Sequence, residues 1–107
     1  MAVSTKPSDG IQVAVNGSAV TTAGVQPFDN THTIVILNNT ASVDGFVNWQ
    51  GDTTRITATT GSVIPGGASL TLNVGPKSSR PASANTLRFD AGSAVNFQVT
   101  YVNGNQT

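Results

Sequence analysis

Apolar and polar residues alternate along much of this chain with a period of two, the spacing of a β-strand that buries one face. The clearest case lies near the C-terminus, where Val95, Phe97, Val99 and Tyr101 share one face and Val102 lies on the other. No window repeats apolar residues at i, i+3, i+4 and i+7, and glutamate is absent. The pattern therefore predicts an all-β protein.

The same alternation predicts further strands between clusters of turn-forming residues. They are IQVAV (11–15), FVNWQ (46–50), SLTLNV (69–74) and TLRFD (86–90). Their inward-facing residues are Ile11, Val13, Val15, Val47, Trp49, Leu70, Leu72, Val74, Leu87 and Phe89, with Phe46 on the opposite face. A turn is expected at Pro65-Gly66-Gly67, because proline fixes φ and glycine accepts left-handed geometry.

Three segments give more specific predictions. Asn16-Gly17 predicts a hairpin turn between Val15 and Val20, since both turn residues tolerate positive φ. TIVILNN (33–39) is apolar on both faces and predicts a central strand covered on both sides. TTRITATT (53–60) predicts a half-buried strand with Ile56 and Ala58 inward, and with Arg55, Thr57 and Thr59 facing water.

These elements predict one antiparallel β-sandwich of about eight short strands, with either jelly-roll or immunoglobulin-like connections. A chain of 107 residues has room for one hydrophobic core. The expected organisation is an extended N-terminal arm over 1–10, a β-sandwich domain over 11–103 and a C-terminal tail over 104–107. The proline- and serine-rich stretch 75–84 is expected to be a loop.

Charge is scarce, and this excludes several classes of partner. Only 9% of residues are charged and the formal net charge is zero, so no basic patch for nucleic acid or an anionic membrane is expected. The first residues, MAVSTKPSDG, lack the basic and apolar regions of a secretory signal, which favours synthesis in the cytoplasm. Cysteine is absent, so neither disulfides nor thiolate chemistry is available.

Candidate catalytic and metal-binding groups are few. The lone histidine, His32, lies in DNTHT and is interpreted as a surface turn residue. The aspartates lie at turns or strand ends and have no calcium-loop spacing; they are Asp9, Asp29, Asp44, Asp52 and Asp90. We therefore expect no enzyme activity, no cofactor and no metal site.

Two aromatic residues leave a second function open. Trp49 and Tyr101 can form a stacking surface for sugars, or they can pack in the core of alternating strands. Glycosylation sequons occur at Asn16, Asn38 and Asn105, and they are interpreted as chance products of a chain rich in threonine and asparagine.

The candidate contact sites for a partner are the N-terminal arm (1–10), the loop 75–84 and an exposed strand edge. Arg80 lies between prolines in 75–84, and a stiff loop with an arginine is suited to docking, although a plain solvated loop has the same composition. The expected interface residues are Met1, Val3, Lys6, Pro7, Lys77, Arg80 and Pro81.

The run from Thr33 to Val102 resembles small virion structural proteins of tailed bacteriophages, on the segments TIVILNNT, DGFVNW, SVIPGGASLTLNVGPKSSRP and FQVTYVN. It is similar in particular to β-sandwich capsid decoration or cement proteins. The resemblance implies a protein on the capsid exterior that contacts the major capsid protein or a similar lattice. A homo-oligomer, either a dimer or a trimer, is a further expectation. A tail or head-fibre component, and a carbohydrate-binding or adhesin module, are the alternatives.

Overall fold

The computed structural model describes residues 4–7, 11–21, 31–73 and 86–105, and in these ranges the chain forms strands and no helix. The strands are β1 (Ser4–Pro7), β2 (Ile11–Val15), β3 (Thr31–Asn38), β4 (Gly45–Trp49), β5 (Ser62–Ile64), β6 (Ser69–Asn73), β7 (Leu87–Ala91) and β8 (Val95–Asn105). The all-β prediction is confirmed.

The strands form two antiparallel sheets, as predicted. In the five-stranded sheet, β8 pairs on one side with β3, which in turn pairs with β6. On its other side β8 pairs with both β2 and β1, and these two short strands lie end to end along it. The three-stranded sheet has the order β5, β4, β7.

From β3 onward, the chain passes repeatedly between the two sheets. β3, β6 and β8 lie in the larger sheet, whereas β4, β5 and β7 lie in the smaller one. The segment after β2 also joins the smaller sheet, because the Thr21 N–H donates to the Phe89 carbonyl over 3.0 Å. These crossings are those of a jelly roll, the first of the two predicted connectivities.

The long strand β8 reaches both ends of the described chain. Ser4 lies opposite Asn105, and Pro7 lies opposite Val102. Residues of the predicted arm (1–10) and of the predicted tail (104–107) thus pair with each other along one sheet edge. Backbone hydrogen bonds of this kind hold both segments against the sandwich.

The core lies between the sheets and contains most of the inward residues that the alternation predicts; Ile11 is instead 38% exposed, at the end of an edge strand, and Val74 lies outside the described residues. Its buried members are Val15, Ile34, Ile36, Val47, Ile64, Leu87, Phe89, Ala91, Val95, Phe97, Val99 and Tyr101. The rings of Phe89 and Phe97, one from each sheet, lie with their centroids 4.9 Å apart. Leu70 and Leu72 of β6 pack against this core and remain half-buried because their strand is at an edge.

The predicted hairpin at Asn16-Gly17 is wrong. Gly17 has a φ of 86°, so the turn itself exists, but β2 pairs with β8 rather than with a strand that follows the turn. The Asn16 side chain accepts a hydrogen bond from the Ser18 N–H at 2.8 Å, and Val20 is then buried. The turn sends the chain across to the other sheet.

The predicted strand over TTRITATT is also wrong. Residues 53–61 form no strand, and Thr57–Thr60 form a turn in which threonine hydroxyls bond to one another and to the backbone. Ile56 is buried as predicted, whereas Ala58 is exposed. Threonine has a strand preference, but its hydroxyl also stabilises turns, and here the turn prevails.

β3 is central in its sheet, as predicted, but it is not fully covered on both faces. Ile34 and Ile36 are completely buried, while Val35 and Leu37 on the other face are half-buried. His32 lies in this strand and not in a loop, at a point where the pairing with β8 shifts register.

Two glycines with positive φ allow a matched test of the turns. A Cβ on Gly17 would approach the Ser93 Cα to 2.5 Å, whereas a Cβ on Gly67, with a φ of 80°, would meet nothing within 4 Å. We expect Gly67→Ala to lower the free energy of unfolding by about 1 kcal/mol through backbone strain alone. Gly17→Ala adds a clash with backbone atoms, and we expect a loss of about 2.5 kcal/mol in urea unfolding. Equal losses would show that the contact with Ser93 is not tight.

Candidate functional site

The outer surface of the five-stranded sheet carries no charged side chain among the residues whose side chains are described. We call this surface the open face. It consists of Gln12, Ala14, Thr33, Val35, Leu37, Ser69, Thr71, Asn73, Asn96, Gln98, Thr100 and Val102. Each is exposed or half-buried, because the alternate residues of the same strands point into the core.

Polar and aliphatic residues are ordered across the open face by the strand registers. Gln98 lies beside Leu37, and Thr100 lies beside Val35. Thr33 lies next to Asn73, and its hydroxyl bonds to the Asn73 side-chain oxygen at 3.3 Å. The face is therefore a sheet of short uncharged groups around an aliphatic centre, which a partner can cover without desolvating a charge.

The outer surface of the three-stranded sheet is covered by the protein itself over β7, whereas Val63 on the same face of β5 remains 37% exposed. Asp90 of β7 points outward from this sheet and yet has no solvent exposure. The loop between β4 and β5 covers it, with Arg55 bonded to the Asp90 carboxylate by Nε at 2.7 Å and by Nη2 at 2.9 Å. The backbone N–H groups of Ile56 and Ala91 also donate to this carboxylate, at 2.9 and 2.8 Å.

Arg55 also ties this loop to the turn after β2. Its guanidinium donates to the carbonyl oxygens of Ser18 at 2.8 Å, Gly17 at 3.1 Å and Ala91 at 3.2 Å. A planar fork of donors suits such multiple contacts. Arg55 is exposed to water over 47% of its side chain, as predicted, whereas its contacts with Asp90 and with these carbonyl oxygens were not predicted.

The pKa shifts of Asp90 and Arg55 are those of a stabilising ion pair. Burial alone would raise the pKa of Asp90, but hydrogen bonds from Arg55, Ile56 and Ala91 outweigh it and hold the pKa below its ordinary value. The hydrogen bond to Asp90 raises the pKa of Arg55. Both groups therefore stay charged at neutral pH.

Arg88 makes a second link across the same side of the molecule. Its guanidinium donates to the carbonyl oxygens of Thr21 at 2.7 Å, Gln50 at 3.1 Å and Gly51 at 3.1 Å. Arg55 and Arg88 thus hold the loop between β4 and β5 and the segment after β2 against the smaller sheet. Neither lies on the open face.

Asn38 is a buried polar residue that joins three segments. Its side-chain amide donates to the carbonyl oxygens of Val43 at 2.7 Å and Ile64 at 2.8 Å, and its oxygen accepts the Thr40 N–H at 3.1 Å. Because it has no solvent exposure, it is not an acceptor for a glycan.

Most of the predicted interface lies outside the described residues. Lys6 and Pro7 are in β1, with their backbones opposite Asn103 and Val102. The others fall outside the described ranges; they are Met1, Val3, Lys77, Arg80 and Pro81. The sequence did not predict the open face, because the strand order decides which residues share a surface. The absence of charge at these positions was visible in the sequence.

The candidate catalytic and metal-binding residues have structural roles wherever their side chains are described. Asp52 accepts the Thr54 N–H at 3.2 Å in a turn, and Asp90 lies near the end of β7, both as predicted; the burial of Asp90 and its ion pair with Arg55 were not predicted. Asp9 and Asp29 lie outside the described residues, as does the side chain of His32. The described part of the chain has no cluster of three histidine, cysteine or acidic residues that could hold a metal ion.

The two aromatic candidates do not form a shared platform. Tyr101 is 2% exposed, and burial raises the pKa of its hydroxyl. Trp49 is half-buried and packs against the core. Core packing, the simpler of the two interpretations, accounts for both. The described residues also include no helix with the length and hydrophobicity needed to span a membrane.

Comparison with known proteins gives no family. No protein-family model matches the chain, and no curated protein matches its sequence. A solved structure described as "Bacillus endospore appendages form a novel family of disulfide-linked pili" aligns with a TM-score of 0.44 and 13% identity, over 97% of this chain and 89% of that chain. Similarity at this level does not bear on function.

Proposed function

We propose that this protein is a non-enzymatic structural protein that binds a regular protein lattice through the open face. The observation that carries the proposal is the contrast between the two outer surfaces of the sandwich. Loops and two arginine side chains cover much of one surface, whereas the other is an uncharged sheet of exposed and half-buried residues. A surface of this kind is suited to contact with other proteins.

We further propose that the lattice is the capsid exterior of a tailed bacteriophage, and that the protein is a decoration or cement protein made in the host cytoplasm. This part rests on the resemblance of Thr33–Val102 to such proteins. A sheet without charge adds little repulsion between neighbouring copies on a crowded shell. The contact with the major capsid protein would depend on buried area and shape.

The size of the open face indicates how such binding works. Five residues along each of four neighbouring strands, spaced about 4.8 Å apart with a rise of about 3.4 Å, cover roughly 300 Å² in projection. Stable pairwise interfaces bury about 800 Å² of accessible surface per partner, which exceeds the open face even if side-chain relief makes its accessible area about twice its projection. A single contact through this face is therefore weak, and firm attachment requires several contacts at once, as a lattice provides.

Gln98, at the centre of the open face, allows a direct test. We expect Gln98→Lys and Gln98→Glu each to weaken co-sedimentation with phage particles from the source strain at least about tenfold, since either charge would be desolvated on binding. Binding of the original protein should change little between low and high salt, because no charged pair forms in the contact. Quantitative gel analysis of bound and free protein measures both effects.

Ala58 provides the matched control, because it is exposed on the loop over the opposite surface. Ala58→Lys and Ala58→Glu should bind as the original protein does. Loss of binding with only one sign of charge at Gln98 would indicate a charged partner. Full binding by both Gln98 variants would refute the role of the open face, and no binding of the original protein would refute the capsid as the lattice.

A further inference from the structure

β6 is an edge strand of the five-stranded sheet as far as the structure is described. Within the described residues its backbone pairs only with β3. Its five residues, Ser69–Asn73, include no charge and no proline, and its register with β3 has no bulge. Sheet edges in soluble proteins usually carry a charged residue, a proline or a bulge, which prevents pairing with another chain.

The backbone groups that point away from β3 can be assigned. The Asn38 N–H donates to the Ala68 carbonyl at 2.9 Å, one residue beyond Leu37 and Ser69, the last pair of the register between β3 and β6. Hydrogen-bonded and non-bonded pairs alternate along an antiparallel ladder, so Leu70 and Leu72 bond to β3. The N–H and C=O groups of Ser69, Thr71 and Asn73 therefore point to the open edge.

The side chains of β6 are also self-complementary. Leu70 and Leu72 lie on the inner face, pack against the core and are half-buried. Thr71 lies midway between them, with Ser69 and Asn73 on either side of it. If the strand is rotated by a half-turn about Thr71, leucine falls opposite leucine and polar residues fall opposite polar residues.

We propose that β6 pairs in antiparallel fashion with β6 of a second copy, about a two-fold axis through Thr71. In this register Ser69 lies opposite Asn73 of the other copy, and all the outward N–H and C=O groups of the strand are paired. Leu70 meets Leu72 of the other copy, so the two cores become continuous across the edge. The interaction is isologous and closes as a dimer.

Two features favour a second copy over another extended strand. No charge on one β6 would face a charge on the other, and the pairing leaves no leucine opposite a polar group. The edge strand β5 lies on the same side of the sandwich, joined to β6 by residues 65–68. This inference does not depend on the proposed lattice binding.

Cysteine cross-linking tests the register, because the natural chain has no cysteine. Thr71→Cys would place two thiols across the axis in a hydrogen-bonded pair, where Cα atoms are about 5.5 Å apart and a disulfide fits. We expect most of this variant to run as a covalent dimer on a non-reducing gel after treatment with copper–phenanthroline. Ser69→Cys is the matched control, since its two copies would be about 14 Å apart and should stay unlinked.

Analytical ultracentrifugation tests the dimer without a new thiol. Thr71→Lys places like charges at the two-fold axis and should raise the dimer dissociation constant at least about tenfold. Gln12→Lys, an exposed change on the strand at the far edge of the sheet, should leave it unchanged. A monomeric original protein, or equal cross-linking of Thr71→Cys and Ser69→Cys, would overturn the inference.

Discussion

Asp90→Ala is expected to lower the free energy of unfolding by about 4 kcal/mol at neutral pH, the largest effect among the changes considered. The carboxylate has no solvent exposure and accepts hydrogen bonds from Arg55 and from the N–H groups of Ile56 and Ala91. Alanine leaves these donors without their acceptor and releases the loop between β4 and β5. Urea unfolding followed by Trp49 fluorescence measures the loss.

The same carboxylate predicts the response to acid. Because folding lowers the pKa of Asp90, its contribution is complete above the unfolded pKa of about 3.9 and is lost as pH falls through the folded value. The stability difference between the original protein and Asp90→Ala should therefore shrink below about pH 4. Asp44→Ala, at an exposed position, should cost less than about 0.5 kcal/mol at neutral pH. A difference that stays constant down to pH 2 would contradict the role assigned to the ion pair.

Asn38→Leu is expected to cost about 3.5 kcal/mol, the second largest effect. Leucine keeps the branched outline of asparagine but is larger, so the loss combines missing hydrogen bonds with crowding at a buried site and involves no cavity. The carbonyl oxygens of Val43 and Ile64 lose a donor, and the Thr40 N–H loses its acceptor. Thermal and urea unfolding should both show the change.

The neighbouring asparagine is the control for this experiment. Asn39 has an exposed side chain, and its backbone N–H bonds to the Asn96 carbonyl at 2.8 Å, a contact that substitution leaves intact. Asn39→Leu should alter the free energy of unfolding by less than about 0.5 kcal/mol. Similar losses at both positions would mean that the amide of Asn38 is not the anchor of the turn after β3.

The strands that follow strict alternation could be predicted from the sequence. Val95, Phe97, Val99 and Tyr101 are buried on β8 because a period of two admits one inward face. Leu87 and Phe89 on β7 follow the same rule. In each case the local pattern and the tertiary packing favour the same structure, so nothing beyond the strand itself had to be known.

The errors arose where a residue's partner lies far along the chain. Asn16-Gly17 has the composition of a hairpin turn, but β2 pairs with β8, about eighty residues away. Arg55 and Asp90 look like ordinary surface and turn residues until a loop brings them together across the smaller sheet. Local propensity carries no information on such pairings, because they depend on the order of strands in the sheet.

The open face could be predicted only in part, for the same reason. Its members come from β2, β3, β6 and β8, and the sequence shows that each is uncharged. That they form one continuous surface follows only from the registers that place Gln12 beside Gln98 and Thr100 beside Val35. The interface expected at the N-terminal arm and in 75–84 remains a prediction.

Electron cryomicroscopy of particles that carry the bound protein tests the central claim most directly. The account predicts that the outer surface of the five-stranded sheet, centred on Gln98 and Leu37, faces the shell, with the loop that carries Arg55 turned toward solvent. A map in which that loop contacts the shell and the five-stranded sheet faces solvent would contradict it.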